Sequence, residues 1–213
     1  MISRRPPTLV GLAIIATMLA GCSGGTATGN PTTTPGPPSD SASTSSTAAS
    51  GGAPAVQNPL SAKVLDGSPC DTALTNADVK EFIGTPDPAK QDEGPTGKIC
   101  FWYNAAGSGA RIGVIYQTKI DGGLRLAYKN VKPTAVRWDV LQPIQGYPAV
   151  SYLPAGDDPN AKSQCHIVVA IADNLSYSLD VTVGDQAQQR GVDGCVAGRD
   201  VADRVMTNIK ARG

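Results

Sequence analysis

His166 is the only histidine in the chain. A general base that works near neutral pH is most often a histidine, so any hydrolytic chemistry would fall to this residue first. It lies in Cys165-His166-Ile167-Val168-Val169-Ala170-Ile171, where strand alternation puts it on the face of Val168 and Ala170. It therefore reads as a strand residue rather than a catalytic base. No G-x-S-x-G turn that would expose a serine is present, nor a phosphate-cradling G-x-x-x-x-G-K loop. Two acidic pairs, Asp92-Glu93 and Asp157-Asp158, could do acid–base work or hold calcium. Each lies beside glycine or proline, the setting of a solvated turn. Trp102, Trp138 and Tyr116 are the aromatic side chains expected to line a ligand groove, if there is one. No catalytic residue is assigned, and no cofactor or metal is implied.

The other chemistry is that of sulfur. Of five cysteines, Cys70, Cys100, Cys165 and Cys195 fall beyond residue 60. An even set in an exported domain reads as two disulfides, and three pairings are possible. Thirty residues separate the first two, and thirty the last two. Pairing Cys70–Cys100 and Cys165–Cys195 would tie a helix to a nearby strand each time, and it is the expected connectivity. The rival reading is zinc. It lacks any C-x-x-C pair and has one histidine to draw on.

Cys22 stands apart. Arg4 and Arg5 are followed by Leu9–Leu19 (LVGLAIIATML), a run of 11 residues that is apolar except for Thr17. That is well short of the roughly 20 residues needed to span a bilayer. A positive start, a short apolar core and small residues before a cut describe a secretory signal peptide. The run ends Leu19-Ala20-Gly21-Cys22, which resembles the lipobox of bacterial lipoproteins. The resemblance implies that the Cys22 thiol takes a diacylglycerol and that cleavage leaves Cys22 as the new N-terminus. Ser3-Arg4-Arg5 faintly resembles a twin-arginine signal, but Pro6-Pro7 departs from it, so general secretion is expected. Between Cys22 and Ala62 the only charged residue is Asp40. A run of Gly, Ser, Thr, Pro and Ala cannot bury enough apolar surface to offset chain ordering. Residues 22–59 are thus expected to be a disordered tether, with a root-mean-square reach of roughly 33 Å. Residues 1–21 are the signal peptide and 60–213 a single folded extracytoplasmic domain.

That domain is long enough for a real core. The chain has 18 basic and 18 acidic side chains; loss of Arg4 and Arg5 leaves 16 against 18, a net charge of −2. No basic patch points to nucleic acid. Thr75-Asn76-Ala77-Asp78 resembles a capping box with Asp in place of Glu. Val79, Phe82 and Ile83 then share a helical face, and Gly84 and Pro86 end it. Residues 98–119 read as a hairpin turning at Gly107-Ser108-Gly109. Ile99, Phe101 and Tyr103 share one face, and Ile112, Val114 and Tyr116 alternate likewise. A short helix is expected over Gly122–Lys129, with strands near Val136–Leu141, Pro148–Leu153, Gln164–Ala172 and Ser176–Val183. In the last strand Tyr177, Leu179, Val181 and Val183 pack, while Ser176, Ser178, Asp180 and Thr182 point toward water, as in an antiparallel sheet. Asp193 can cap a final helix whose stripe is Val201, Ala202, Val205 and Ile209, with Arg199, Asp200, Arg204 and Lys210 largely off it. The expected fold is α+β: an antiparallel sheet of five to six strands, packed by N-terminal, middle and C-terminal helices.

The ordered landmarks resemble an actinobacterial lipoprotein family of unknown function, DUF3558. They are PCDTALTNADVKEFIG (69–84), CFWY (100–103), GYPAVSY (146–152), CHIVVAI (165–171) and CVAGRDVADRVM (195–206). The resemblance implies a cell-envelope lipoprotein, anchored to the outer face of the cell membrane by lipid on Cys22, and it carries no catalytic residues. Two classes of role follow. One is a non-catalytic binding or interaction module for an envelope protein or an apolar envelope ligand. The alternative is an enzyme acting on cell wall or lipid through carboxylates. An exposed aromatic groove without converging ionisable groups would favour binding. Convergent carboxylates, or His166 facing an acid, would favour the enzyme.

Overall fold

The structure is a computed structural model that describes residues 51–213. The expected signal peptide, Cys22 and most of the expected tether lie outside the described residues. The fold is α+β, built on a seven-stranded, fully antiparallel sheet in the order β1-β2-β3-β7-β6-β5-β4. The strands are β1 (Lys90–Glu93), β2 (Lys98–Tyr103), β3 (Arg111–Tyr116), β4 (Arg137–Val140), β5 (Ala149–Leu153), β6 (Gln164–Ala172) and β7 (Leu175–Thr182). The strand absent from the sequence reading is β1. Its four residues, Lys-Gln-Asp-Glu, are all exposed, and an edge strand with no apolar face leaves no period-2 signal.

One face of the sheet is covered by α1 (Pro69–Thr72), α2 (Asn76–Ile83) and α5 (Gly194–Lys210), the last reached through the short α4 (Asp185–Gln189). Both expected disulfides form there. Cys70–Cys100 ties α1 to β2, and Cys165–Cys195 ties β6 to the first turn of α5. The α5 stripe of Val201, Ala202, Val205 and Ile209 is buried as expected, and Asp193 caps the helix by accepting from the Cys195 N–H. The Tyr177 hydroxyl donates to the Ala202 carbonyl at 2.8 Å, deep in this layer. On β2 the covered side chains are Cys100 and Trp102, so Ile99, Phe101 and Tyr103 take the opposite face and are half-buried. On β3 the covered set is Ile112, Val114 and Tyr116.

The chain then crosses to the other face. α3 (Gly123–Leu126) runs directly into a π turn over Ala127–Val131, where the Lys132 N–H reaches back to the Ala127 carbonyl at 2.9 Å. Gly123 is required at this crossing. Its φ is +49°, and a Cβ there would sit 2.9 Å from the Asp173 carbonyl oxygen, so only glycine lets the backbone lie so close to the β6–β7 turn. This segment corrects the expectation that the polar face of β7 meets water. Ser176 and Ser178 are buried, and both hydroxyls bond the Gln117 side chain. The start of the domain also lies earlier than residue 60. Ala53 and Val56 are buried in the core, and the Val56 N–H donates to Asp173. Two small apolar residues in a Gly/Pro/Ala context gave no periodic signal for this.

α2 is held to α5 by one buried carboxylate. The capping box forms as expected between Thr75 and Asp78. Asp78 also accepts from Asn208 and from the Arg204 guanidinium on α5. Burial alone would raise its carboxyl. The bonds from the Thr75 backbone and hydroxyl, Asn208 and Arg204 outweigh it and hold the pKa at about 2, against 3.8. The folded value is lower than the unfolded one, so the stabilisation is complete above the unfolded value and fades as pH falls toward 2. Asp78→Asn should therefore cost on the order of 2 kcal/mol at neutral pH. In urea melts taken across the acid range, its midpoint should converge on that of the wild type near pH 2. A constant gap at every pH would show that the charge is not what matters.

Candidate functional site

Seven residues, one from each strand, stand side by side across the face opposite the three helices. In register they are Lys90, Phe101, Gly113, Asp180, His166, Tyr152 and Trp138. Each belongs to the alternation class opposite the covered core. At the centre, His166 Nδ1 bonds Asp180 Oδ1 on the neighbouring strand, and the two side chains are 29% and 20% exposed. The Tyr152 ring stacks on His166 at 5.1 Å and 21°, and Trp138 stacks on Tyr152 at 6.2 Å and 27°. Tyr128, from the π turn, meets Trp138 edge-on at 5.2 Å, and Lys132 Nζ lies 4.9 Å from the Tyr128 ring centre. On the other flank the Phe101 ring lies across Gly113, where a Cβ would come within 2.8 Å of it. Burial, and then the Asp180 carboxylate, push the Tyr152 hydroxyl above its usual value, so it stays a neutral donor.

Tyr152 joins this row to a cavity. Beside it, under α3 and the π turn, lies a space of about 560 Å³ lined by Gln117, Leu126, Ala127, Val131, Tyr152 and Val168. The rim carries Thr96, Asp121 and Asn130. An apolar interior with a few polar groups at the mouth is the usual form of a small-molecule site. π turns are rare and are frequent at such sites; here one forms a wall. A second groove, of about 400 Å³, runs on the helical side past Phe82, Asn104, Ser108, Ala187 and Arg190, away from the row.

The arrangement allows two kinds of chemistry. An imidazole whose Nδ1 is held by a carboxylate leaves Nε2 free to accept a proton, as in general-base dyads. A covalent mechanism would also need a nucleophile within hydrogen-bond reach. Among the described residues, no Ser, Thr or Cys side chain bonds the His166 imidazole; the Ser178 hydroxyl, on the same face of the sheet, accepts from the Gln117 amide. The cavity, by contrast, is half-open and needs no nucleophile to receive a ligand.

The sequence-assigned residues fall as follows. Trp102 and Tyr116 are buried on the helical side, whereas Trp138 is on the open face. The three therefore do not line one groove; the sheet separates them. His166 occupies the expected face, but it faces an acid. Asp92 and Glu93 are in β1, with Glu93 bridged to Lys119 at 2.7 Å. Asp157 accepts from Gln164, and Asp158 closes a turn on the Asn160 N–H. Neither pair converges on a common point. Tyr152, Tyr128 and Asp180 were missed as site partners. Asp180 falls on the polar face of its strand and His166 on the face of Val168 and Ala170, and the register that pairs them cannot be read from either strand alone. Among the described residues no cluster of three or more His, Cys, Asp or Glu could hold a metal ion. Nor is any helix among them long and apolar enough to cross a membrane.

A family model described as "Protein of unknown function (DUF3558)" matches residues 17–208. No curated protein and no solved structure matches the chain.

Proposed function

This chain belongs to the DUF3558 family, and from that premise we propose that it is a lipid-anchored binding module at the outer face of the cell membrane, taking an apolar envelope ligand in the open-face cavity. The observation that carries this reading is the cavity itself: about 560 Å³, walled by Leu126, Ala127, Val131 and Val168, with Gln117 inside and Asn130 at its mouth. The family match begins before Leu19-Ala20-Gly21-Cys22 and takes that motif in, which supports lipidation of Cys22 as part of the same design. A tethered domain needs no catalytic centre to hold an apolar molecule near the membrane. A protein partner in place of the small ligand would use the same face.

The second reading is an envelope enzyme, and the His166–Asp180 pair is what favours it. One experiment separates the two. Binding of cis-parinaric acid, a fluorescent fatty acid, would be measured for the wild type, Val131→Trp and His166→Ala, and each variant would be used to complement a deletion strain. Filling the cavity with the indole should weaken binding by at least about tenfold, equivalent to ~1.4 kcal/mol, and should impair the cellular role. His166→Ala should leave probe binding within about twofold and the cellular role intact at normal abundance. Loss of an acid–base group costs about 10²–10⁴-fold in rate. Complete loss of the role in His166→Ala, with abundance and probe binding unchanged, would move the assignment to the enzyme.

A further inference from the structure

The groove on the helical side continues into the domain. Its outer part, about 400 Å³, passes Asn104, Ser108 and Gln186. An inner arm of about 220 Å³, the more enclosed of the two, runs over Ile112, Val181, Val192, Ala197 and Val201. Both are lined by Phe82, Ile83, Gly184, Ala187 and Arg190, so they form one space between the end of α2, the paired ends of β3 and β7, and α4. Ile112, Val181 and Val201 belong to the buried core. The arm therefore enters the core through a gap in the helical layer. Apart from Thr182 and Arg190, every side chain along it is apolar. A channel of that lining suits a hydrocarbon chain, since a polar group placed there would lose its hydration without gaining a partner.

Arg190 stands where the two parts meet. Among the described residues it is the only charged side chain that lines either part. Arg199, Arg204 and Arg212 donate to Gln142, Asp78 and Asp66, but the Arg190 guanidinium has no partner among the described residues. The nearest acids along the chain lie outside the lining: Asp193 caps α5, and Asp185 lies beside Gly109. A planar guanidinium matches a carboxylate through two parallel hydrogen bonds. One uncompensated positive charge is balanced by one carboxylate, whereas a phosphate monoester brings about −1.5 to −2. The cation and the apolar arm share one channel, so an occupant needs its anionic head and its hydrocarbon joined end to end.

We propose that this groove binds a long-chain fatty acid, with the carboxylate on Arg190 and the hydrocarbon chain in the arm over Val181 and Val201. The site lies across the sheet from the open-face cavity and does not depend on what that cavity holds. A fatty-acid probe then reports two sites; Val131→Trp removes the one in the cavity, and Arg190→Gln the one in the groove.

The test is photolabelling of the full-length protein in membrane vesicles, using palmitate that carries a diazirine in mid-chain, with the label mapped by peptide mass spectrometry. Label should fall on the segment from Val181 to Val201. Excess palmitate should suppress it, and hexadecanol or hexadecyl phosphate should compete at least about tenfold less well. Arg190→Gln should lower this label at least about tenfold, Arg190→Lys by less, and neither should alter label near Val131. Arg190 is exposed, so both variants should melt with the wild type. Ala187→Trp, which fills the junction, should lower the same label. Absence of label from the groove overturns the proposal, whether or not the open-face cavity is labelled. So does full labelling of Arg190→Gln, or equal competition by hexadecanol or hexadecyl phosphate. Label in the groove with none near Val131 supports this site and counts against the cavity reading alone.

Discussion

Cys22→Ala should release the protein from the membrane almost completely. Each buried methylene contributes about 0.8 kcal/mol, and a single acyl chain holds a protein only marginally. On the proposed reading, a diacylglycerol on Cys22 would provide two chains, enough for stable anchoring. Alanine cannot form the thioether, so on that reading lipidation stops. Fractionated cells labelled with a radioactive fatty acid should show label and membrane partition for the wild type and neither for the variant. Equal label and equal partition in both forms would remove the lipoprotein reading.

The second large effect is on stability. Each disulfide joins cysteines 30 residues apart. Closing such a loop in the unfolded chain is worth roughly 3.5 kcal/mol on the entropic account. Domains of this size have about 5–15 kcal/mol in total. Removing one bridge as a pair of alanines, either Cys70/Cys100 or Cys165/Cys195, should therefore lower the melting temperature by on the order of 10 °C. Removing both should leave a domain that is largely unfolded at 37 °C. Both bridges lie on the helical side and hold α1 and the first turn of α5 to the sheet, so near-UV circular dichroism should be lost in the same transition. Non-reducing peptide maps should recover Cys70–Cys100 and Cys165–Cys195 from the exported wild type, with no alkylatable thiol. Four alkylatable thiols, or double variants that melt with the wild type, would remove the stapling role.

The sequence by itself determined what depends on neighbours along the chain. The signal-like start and Leu19-Ala20-Gly21-Cys22 are linear patterns. The Thr75–Asp78 capping box and the Asp193 cap are decided within three residues, because orphan helix N–H groups take the nearest acceptor. Gln164–Ala172 reads as one strand because it is a nearly continuous apolar run, and Tyr177, Leu179 and Val181 read as a buried face of its neighbour because they alternate with polar residues. The disulfide pairs followed from two equal spacings and from the elements they would join.

Only the tertiary structure decided which side of each strand is covered and which residues meet across it. Alternation separates Ile99, Phe101 and Tyr103 from Cys100 and Trp102, but both sets carry rings. Burial went to the second set because the Cys70–Cys100 bridge and α1 lie on that side. The same fact divides Trp102 from Trp138, two indoles that the linear sequence treats alike. β1 exists because backbone pairing with β2 does not depend on side chains. The His166–Asp180–Tyr152–Trp138 row exists because four strands from separate parts of the chain settle in one register. The cavity exists because Gly123 lets the chain cross tightly over the sheet and a π turn holds it there. Register and crossing are set by the packing of the whole domain, and no window of the sequence contains that.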